Sequence, residues 1–91
     1  MKPQITLYTK GYCPFCKRAK SLLTEQGVTE WTEHDLEAVP ERLEEMLTRS
    51  GGRRTVPQVF IGETHIGGSD DLYDFIASGK LKALLGASVT V

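Results

Sequence analysis

The sequence predicts an α/β domain: a mixed four-stranded sheet flanked by helices, in the order β-α-β-α-β-β-α. Three observations carry that expectation. A short alternating strand runs straight into a helix, with Cys13-Pro14-Phe15-Cys16 at the junction. A second strand-like run then precedes a proline-opened helix, which completes an early βαβ unit. A late hairpin ends at Gly67-Gly68-Ser69, a natural helix start.

Each element has its own local reason. Ile5 and Leu7 alternate with Thr6 and Tyr8, so Ile5–Thr9 reads as the first strand. Pro14 suits the first turn of a helix, where its missing N–H costs nothing. Ala19, Leu22, Leu23 and Gln26 mark one face of that helix, and Gly27 is placed to end it in a left-handed cap. Glu30 to Leu36 is the second strand. Pro40 opens the second helix, with an apolar stripe of Leu43, Met46 and Leu47 closed by Ser50-Gly51-Gly52. In the third strand, Thr55 to Ile61, Val59 and Ile61 face one side and Phe60 the other, a pattern of burial on both faces. Gly62-Glu63-Thr64 turns tightly into the short strand His65-Ile66. The third helix carries Asp70 and Asp71 in its first turn and turns Leu72, Phe75 and Ile76 inward. Gly79 breaks it, Leu81, Leu84 and Leu85 form a last short helix, and Ala87 to Val91 is expected to fray. Helices then cover both faces of one sheet, which is the thioredoxin architecture.

Composition bounds the function. Ninety-one residues suit one small domain with one modest core. A net charge of −1 gives no global field toward nucleic acid or an acidic membrane. No segment is long and apolar enough to span a bilayer, and no secretory pattern opens the chain, so a cytoplasmic protein is expected. Two cysteines cannot build the disulfide framework of a small secreted domain. In a reducing compartment such a pair is more readily catalytic than structural.

The two cysteines are therefore the first candidates. A thiolate, not a thiol, attacks a disulfide, so the nucleophile needs a lowered pKa. Cys13 is expected at the start of the first helix, where unpaired N–H groups and the helix dipole favour an anion. Cys16 lies inside the first turn and is expected to be covered. Cys13 attacks in this reading, and Cys16 resolves. Lys10, Lys17, Arg18 and Lys20 surround the pair, although Arg18 and Lys20 also suit a plain solvated helix face. A structural zinc site wants four ligands, and only His34 and His65, read as surface residues, could add to the pair. No metal ligands are assigned.

Two further segments carry chemistry. Thr55-Val56-Pro57 puts a proline at a strand entrance, which leaves Val56 free to pair its backbone with an extended peptide. A strand that merely begins at Pro57 fits the residues equally well. Gly67-Gly68-Ser69-Asp70-Asp71 combines glycines that permit close approach, an expected N-cap at Ser69, and a carboxylate able to hold an ammonium group. A well-capped helix with acidic first-turn residues is the plainer alternative.

Taken together, Lys10, Cys13-Pro14-Phe15-Cys16, Thr55-Val56-Pro57 and Gly67 to Asp71 resemble the glutaredoxins, specifically the bacterial class I dithiol type. The resemblance runs from about Ile5 to Leu85 and implies one glutaredoxin domain over 1–91, with a core of about 4–86 and a short flexible tail. Thioredoxins typically carry Trp-Cys-Gly-Pro-Cys, whereas Tyr12 and Pro14-Phe15 stand here, and the sole tryptophan is Trp31. Phe15 replaces a tyrosine common in relatives, and Ser69 replaces a further cysteine.

The resemblance implies a glutathione site. Cys13 would form the mixed disulfide, and Val56 would pair its backbone with the glutathione cysteine ahead of Pro57, which in the family is cis. Lys10 would face the glycine carboxylate, helped by Arg42. Ser69 and Asp70 would receive the γ-glutamyl end, with Gly68 making room, and Tyr12, Phe15 and Thr55 would line the groove. The implied activity is glutathione-dependent reduction of protein–glutathione mixed disulfides and protein disulfides. Glutathione is a co-substrate in it rather than a tightly bound cofactor, and a monomer is expected. The alternative is a dimer holding a [2Fe–2S] cluster through Cys13 and two glutathiones. In the family, cluster binders more often have Gly or Ser where Pro14 stands. A thioredoxin-like reductase is disfavoured by Tyr12, Pro14 and the segment from Gly67 to Asp71.

Overall fold

The structure, a computed structural model, describes residues 4–89, with side chains to residue 84. Its elements run β1 (Ile5–Thr9), α1 (Pro14–Glu25), β2 (Thr32–Asp35), α2 (Arg42–Ser50), β3 (Gln58–Ile61), β4 (Thr64–Gly67), α3 (Ser69–Ala77) and α4 (Lys80–Val89). The sheet order is β2-β1-β3-β4. β1 is parallel to β2 and antiparallel to β3, and β3 is antiparallel to β4. This is the expected mixed sheet of the thioredoxin fold.

β1 and β3 are central, so their residues are buried on both faces. Alternation sends Ile5, Leu7, Val59 and Ile61 to one side, against Ala19 and Leu23 of α1, Leu72 of α3 and Leu81 of α4. Tyr8 and Phe60 point to the other side, against Leu36 and Met46. Two cores thus sandwich one sheet. The Phe60 ring meets Tyr8 edge-on at 5.6 Å between centroids.

Local chemistry shifts several boundaries. β2 stops at Asp35 because its carbonyl accepts from Ala38 and Val39 N–H and its carboxylate from Glu37 N–H, which turns the chain. α2 begins two residues after Pro40. The Arg42 and Leu43 N–H groups reach back only three residues, to Val39 and Pro40, in a turn rather than an α-helix. Gln26 is exposed and is the C-cap of α1, not part of its buried face. α4 continues to Val89, so Ala87 to Val89 of the expected tail are helical, while residues 90–91 lie outside the described residues. The Leu85 side chain also lies outside those described. His34 and His65 are half-buried rather than surface residues: His34 sits 5.2 Å from the Tyr8 ring, and His65 stacks on Phe60 at 4.8 Å.

The α3 start also differs. Gly68, not Ser69, is the N-cap, and Ser69 is the buried first helical residue. The Asp71 carboxylate accepts the Gly68 N–H at 3.0 Å, the return half of a capping box. A register shift between Val59 and Phe60 leaves Ile66 as an extra residue on β4. Gly67 then takes φ 118°, and a Cβ there would lie 2.3 Å from Asp71 Oδ2. The glycine this corner requires is Gly67. At Gly68 an added Cβ would make only ordinary contact, 3.6 Å from the Pro57 carbonyl.

Leu72 is wholly buried and joins α3 to the sheet. Leu72→Ala is expected to cost about 2–5 kcal/mol of stability, measured by urea denaturation. A loss below about 1 kcal/mol would mean that α3 is not tied to the core through this residue.

Candidate active site

The site forms where the α1 N-terminus meets the loop before β3. Cys13 is the N-cap of α1, and its Sγ accepts the Cys16 N–H at 3.3 Å. The sulfur thereby meets one of the N–H groups that the helix start leaves unpaired. The Cys13 thiol also lies 3.8 Å from the Val56 carbonyl. Cys13 is half-exposed and Cys16 buried, and the two thiols are unbridged. Burial pushes the Cys16 thiol up to about 12, reinforced by its hydrogen bond with Cys13. At neutral pH Cys16 is a protonated, covered thiol, while Cys13 is the accessible sulfur. The asymmetry expected from the spacing is present.

Around Cys13 the wall is apolar and open. Tyr12 is 91% exposed and Phe15 58%, unusual for rings of that size. The loop that carries Tyr12 is pinned from below, because Gly11 N–H donates to the Glu37 carboxylate at 2.7 Å. Val56-Pro57 is a cis peptide, with Pro57 buried and Val56 half-buried. Thr55 is exposed, and the buried Gln58 carboxamide donates to its carbonyl at 2.9 Å and its hydroxyl at 3.2 Å.

Charged side chains lie on the elements that flank Cys13. Lys10 and Arg54 line a depression of about 350 Å³ floored by Leu36, Pro40 and Leu43. Arg42 does not line it and instead pairs with Glu45 at 2.8 Å. Arg54 is a residue the sequence reading missed, hidden in the Arg53-Arg54 pair. The Asp70 carboxylate pairs with Arg18, whose guanidinium also donates to Ser69 Oγ at 3.5 Å and lies 5.6 Å over the Tyr73 ring. Arg18 therefore bridges α1 to α3 from an exposed position. Lys20 turns away to pair with Glu33 at 2.8 Å. Burial of the Glu33 carboxyl is outweighed by hydrogen bonds from Lys20, Thr9 and Trp31, so its pKa is lowered.

Behind the groove, Arg53 pairs with Asp71 at 3.1 Å, and Ser50 Oγ bonds both the N–H and the carbonyl of Arg53. The Gly68 N–H, followed by the Arg53 guanidinium, holds the Asp71 carboxyl below the usual range. A dithiol with one accessible sulfur at a helix start, a covered partner and a cis-proline loop beside them has the layout of a thiol–disulfide redox centre on a thioredoxin fold.

Comparison with known proteins narrows that class. The family model for glutaredoxin matches residues 5–66. Glutaredoxin 3 of Escherichia coli strain K12 is 49% identical over 81 residues, 89% of this chain and 95% of that protein. A solution structure of a glutaredoxin from Brucella melitensis superposes with a TM-score of 0.77 at 46% identity, covering 99% of this chain and 96% of that one. A crystal structure of a buckwheat glutaredoxin–glutathione complex superposes with a TM-score of 0.80 at 32% identity, covering 93% and 78%. The chain belongs to the glutaredoxin family and is a thiol–disulfide oxidoreductase.

Two expectations follow. In Cys13→Ser, alkylation of Cys16 by iodoacetamide should stay slow through neutral pH and rise only in strong alkali, followed by mass spectrometry. Fast labelling at pH 7 would contradict the buried, raised thiol. Asp71 has a depressed carboxyl pKa, so its stabilisation is full above the unfolded value and lost as pH falls through the folded one. Asp71→Asn should therefore be less stable than wild type at pH 7, and the gap should close on acidification. A pH-independent gap in urea midpoints would show that the charge contributes nothing.

Proposed function

We propose that the protein is a glutathione-dependent oxidoreductase that reduces protein–glutathione mixed disulfides and protein disulfides, as one domain in the cytoplasm. The observation that carries this reading is the charge layout about Cys13: cations on some of the elements that flank it, and a carboxylate with a helix N-terminus on another. Glutathione has a glycine carboxylate at one end and a γ-glutamyl zwitterion at the other, with its sulfur between. The likeness to a glutaredoxin solved with glutathione supports the same reading.

In this reading Lys10 and Arg54 take the glycine carboxylate, and Arg42 helps them once its exposed pair with Glu45 opens. Val56 pairs its backbone with the glutathione cysteine beside Pro57. Gly68, Ser69 and Asp70 receive the γ-glutamyl end, and Tyr12, Phe15 and Thr55 form the walls. Cys13 thiolate attacks the glutathione sulfur of a mixed disulfide, forming Cys13–SG and releasing the protein as a thiolate. A second glutathione thiolate then attacks Cys13–SG and leaves as glutathione disulfide, restoring Cys13. With a protein disulfide, Cys13 bonds one substrate sulfur and releases the other. Cys16 then loses its proton and displaces the remaining substrate thiol, closing Cys13–Cys16. Two glutathiones reopen that bond.

The test is turnover of an S-glutathionylated peptide with reduced glutathione, NADPH and glutathione reductase. Cys13→Ser should be inactive, and Cys16→Ser should retain turnover. Lys10→Ala combined with Arg54→Ala should raise KM for the peptide about tenfold, the loss of roughly one charge-assisted contact. Activity in Cys13→Ser would overturn the assignment of the nucleophile. An inactive wild type would overturn glutathione as the co-substrate.

A further inference from the structure

The Gln58 side chain is wholly buried in a central strand, and all its hydrogen-bonding groups point at the candidate active site or at His65. Its Nε2 donates to the Thr55 carbonyl at 2.9 Å and to Thr55 Oγ1 at 3.2 Å. Its Oε1 lies 2.7 Å from His65 Nε2. The amide orientation follows from the network: the Thr55 carbonyl can only accept, so Nε2 faces it and Oε1 faces the histidine. His65 must then donate from Nε2. Its ring is held flat on Phe60, with an interplanar angle of 28°. The bond does not depend on the charge of His65, because Nε2–H is present in the cation as well.

The Thr55 carbonyl and the Val56 N–H belong to one peptide unit. That unit is planar and trans, since Val56-Pro57 is the cis bond of the described residues. Its C=O and N–H therefore point in opposite directions. Fixing the carbonyl toward Gln58 sends the Val56 N–H out on the opposite edge. The Val56 N–H has no hydrogen-bond partner among the described residues, and the Val56 carbonyl reaches Cys13 Sγ. An unpaired donor is thus held in a fixed direction beside the accessible thiol.

We infer that Gln58, oriented by His65, is a positioning residue that aims the Val56 N–H at the backbone of the substrate cysteine bonded through sulfur to Cys13. The inference rests on the glutathione groove proposed above. It assigns roles to two residues that touch no substrate. The same arrangement would serve any extended disulfide-bearing peptide, since the Val56 N–H reads backbone rather than side chain.

The test uses the glutathionylated-peptide assay with Gln58→Met, His65→Phe and His65→Gln. Methionine keeps the length and burial of Gln58 without its hydrogen bonds. Phenylalanine keeps the stack on Phe60 without the donor, and glutamine at position 65 restores an N–H near the place of Nε2. The expected result is a KM about five- to tenfold higher in Gln58→Met and His65→Phe, the loss of one aimed hydrogen bond. The kcat and the rate of Cys13 alkylation by iodoacetamide should stay within about twofold of wild type, and His65→Gln should recover most of the KM. Unchanged KM in the folded variants, with wild type active, would overturn the positioning role alone. A parallel fall in kcat and alkylation rate would overturn it too, since that is the mark of a merely structural residue. If Gln58→Met does not fold, the two His65 variants decide. An inactive wild type would instead bring down the proposed substrate.

Discussion

The antiparallel pairing of β1 with β3 is the constraint on which the site depends. In that register Tyr8 stands opposite Gln58, so the end of β1 and the start of β3 lie side by side at one edge of the sheet. The chain leaving β1 must reach the α1 N-terminus within four residues, and the chain entering β3 must arrive through Val56-Pro57. Two loops with no sequence relation are thereby brought to 3.8 Å, Cys13 Sγ against the Val56 carbonyl. Burial of β1 and β3 on both faces makes the register hard to slip, because a shift of one residue would send Leu7 and Val59 into the Tyr8 side. The reactive geometry is thus anchored by apolar packing below it, not by contacts among the reactive groups.

The same register explains why the two cysteines differ so strongly despite their spacing. Cys13 caps α1 and looks outward to the open loop between Lys10 and Tyr12. Cys16, one helical turn on, faces the sheet as Ala19 and Leu23 do. Removal from water disfavours a thiolate, and a neighbouring sulfur disfavours it further, which accounts for a Cys16 value near 12. Chemistry at Cys16 then waits for an event that brings its sulfur a partner. In a dithiol centre that event is the formation of a bond at Cys13.

Much of this was legible in the chain. Pro14 behind Cys13 announced a helix start, and the alternation of Ile5, Leu7, Val59 and Ile61 announced the central strands to the residue in β1. These are local signals, set by dihedral preference and period. What stayed hidden depends on tertiary register. Gln58 reads as an ordinary polar residue in a strand, and nothing local says that it is buried and bonded to Thr55 and His65. Arg42 was the legible partner for Lys10, whereas Arg54 enters the same depression only through the tertiary placement of the loop before β3. Gly67 and Gly68 are likewise equivalent in sequence. The extra residue at Ile66 makes Gly67 the one at positive φ. A capping signal was present in Asp71, three residues after Gly68, and would have moved the N-cap from Ser69.

One contact stands in the way of the proposed function: Arg18 already holds the Asp70 carboxylate that an incoming ammonium group would need. Its exposure argues otherwise. The Arg18 and Asp70 side chains are 42% and 86% exposed, and a pair in such surroundings contributes only about 0–1 kcal/mol. Opening it costs little against an ammonium that replaces the guanidinium on the same carboxylate. The guanidinium, also bonded to Ser69 Oγ and lying over Tyr73, is kept beside the α3 N-terminus by contacts that do not involve Asp70. From there it can face the α-carboxylate of the same amino-acid end. Under the proposed function, an exposed ion pair whose two members each suit one charge of a zwitterion would cost little to open and would leave each charge beside its new partner.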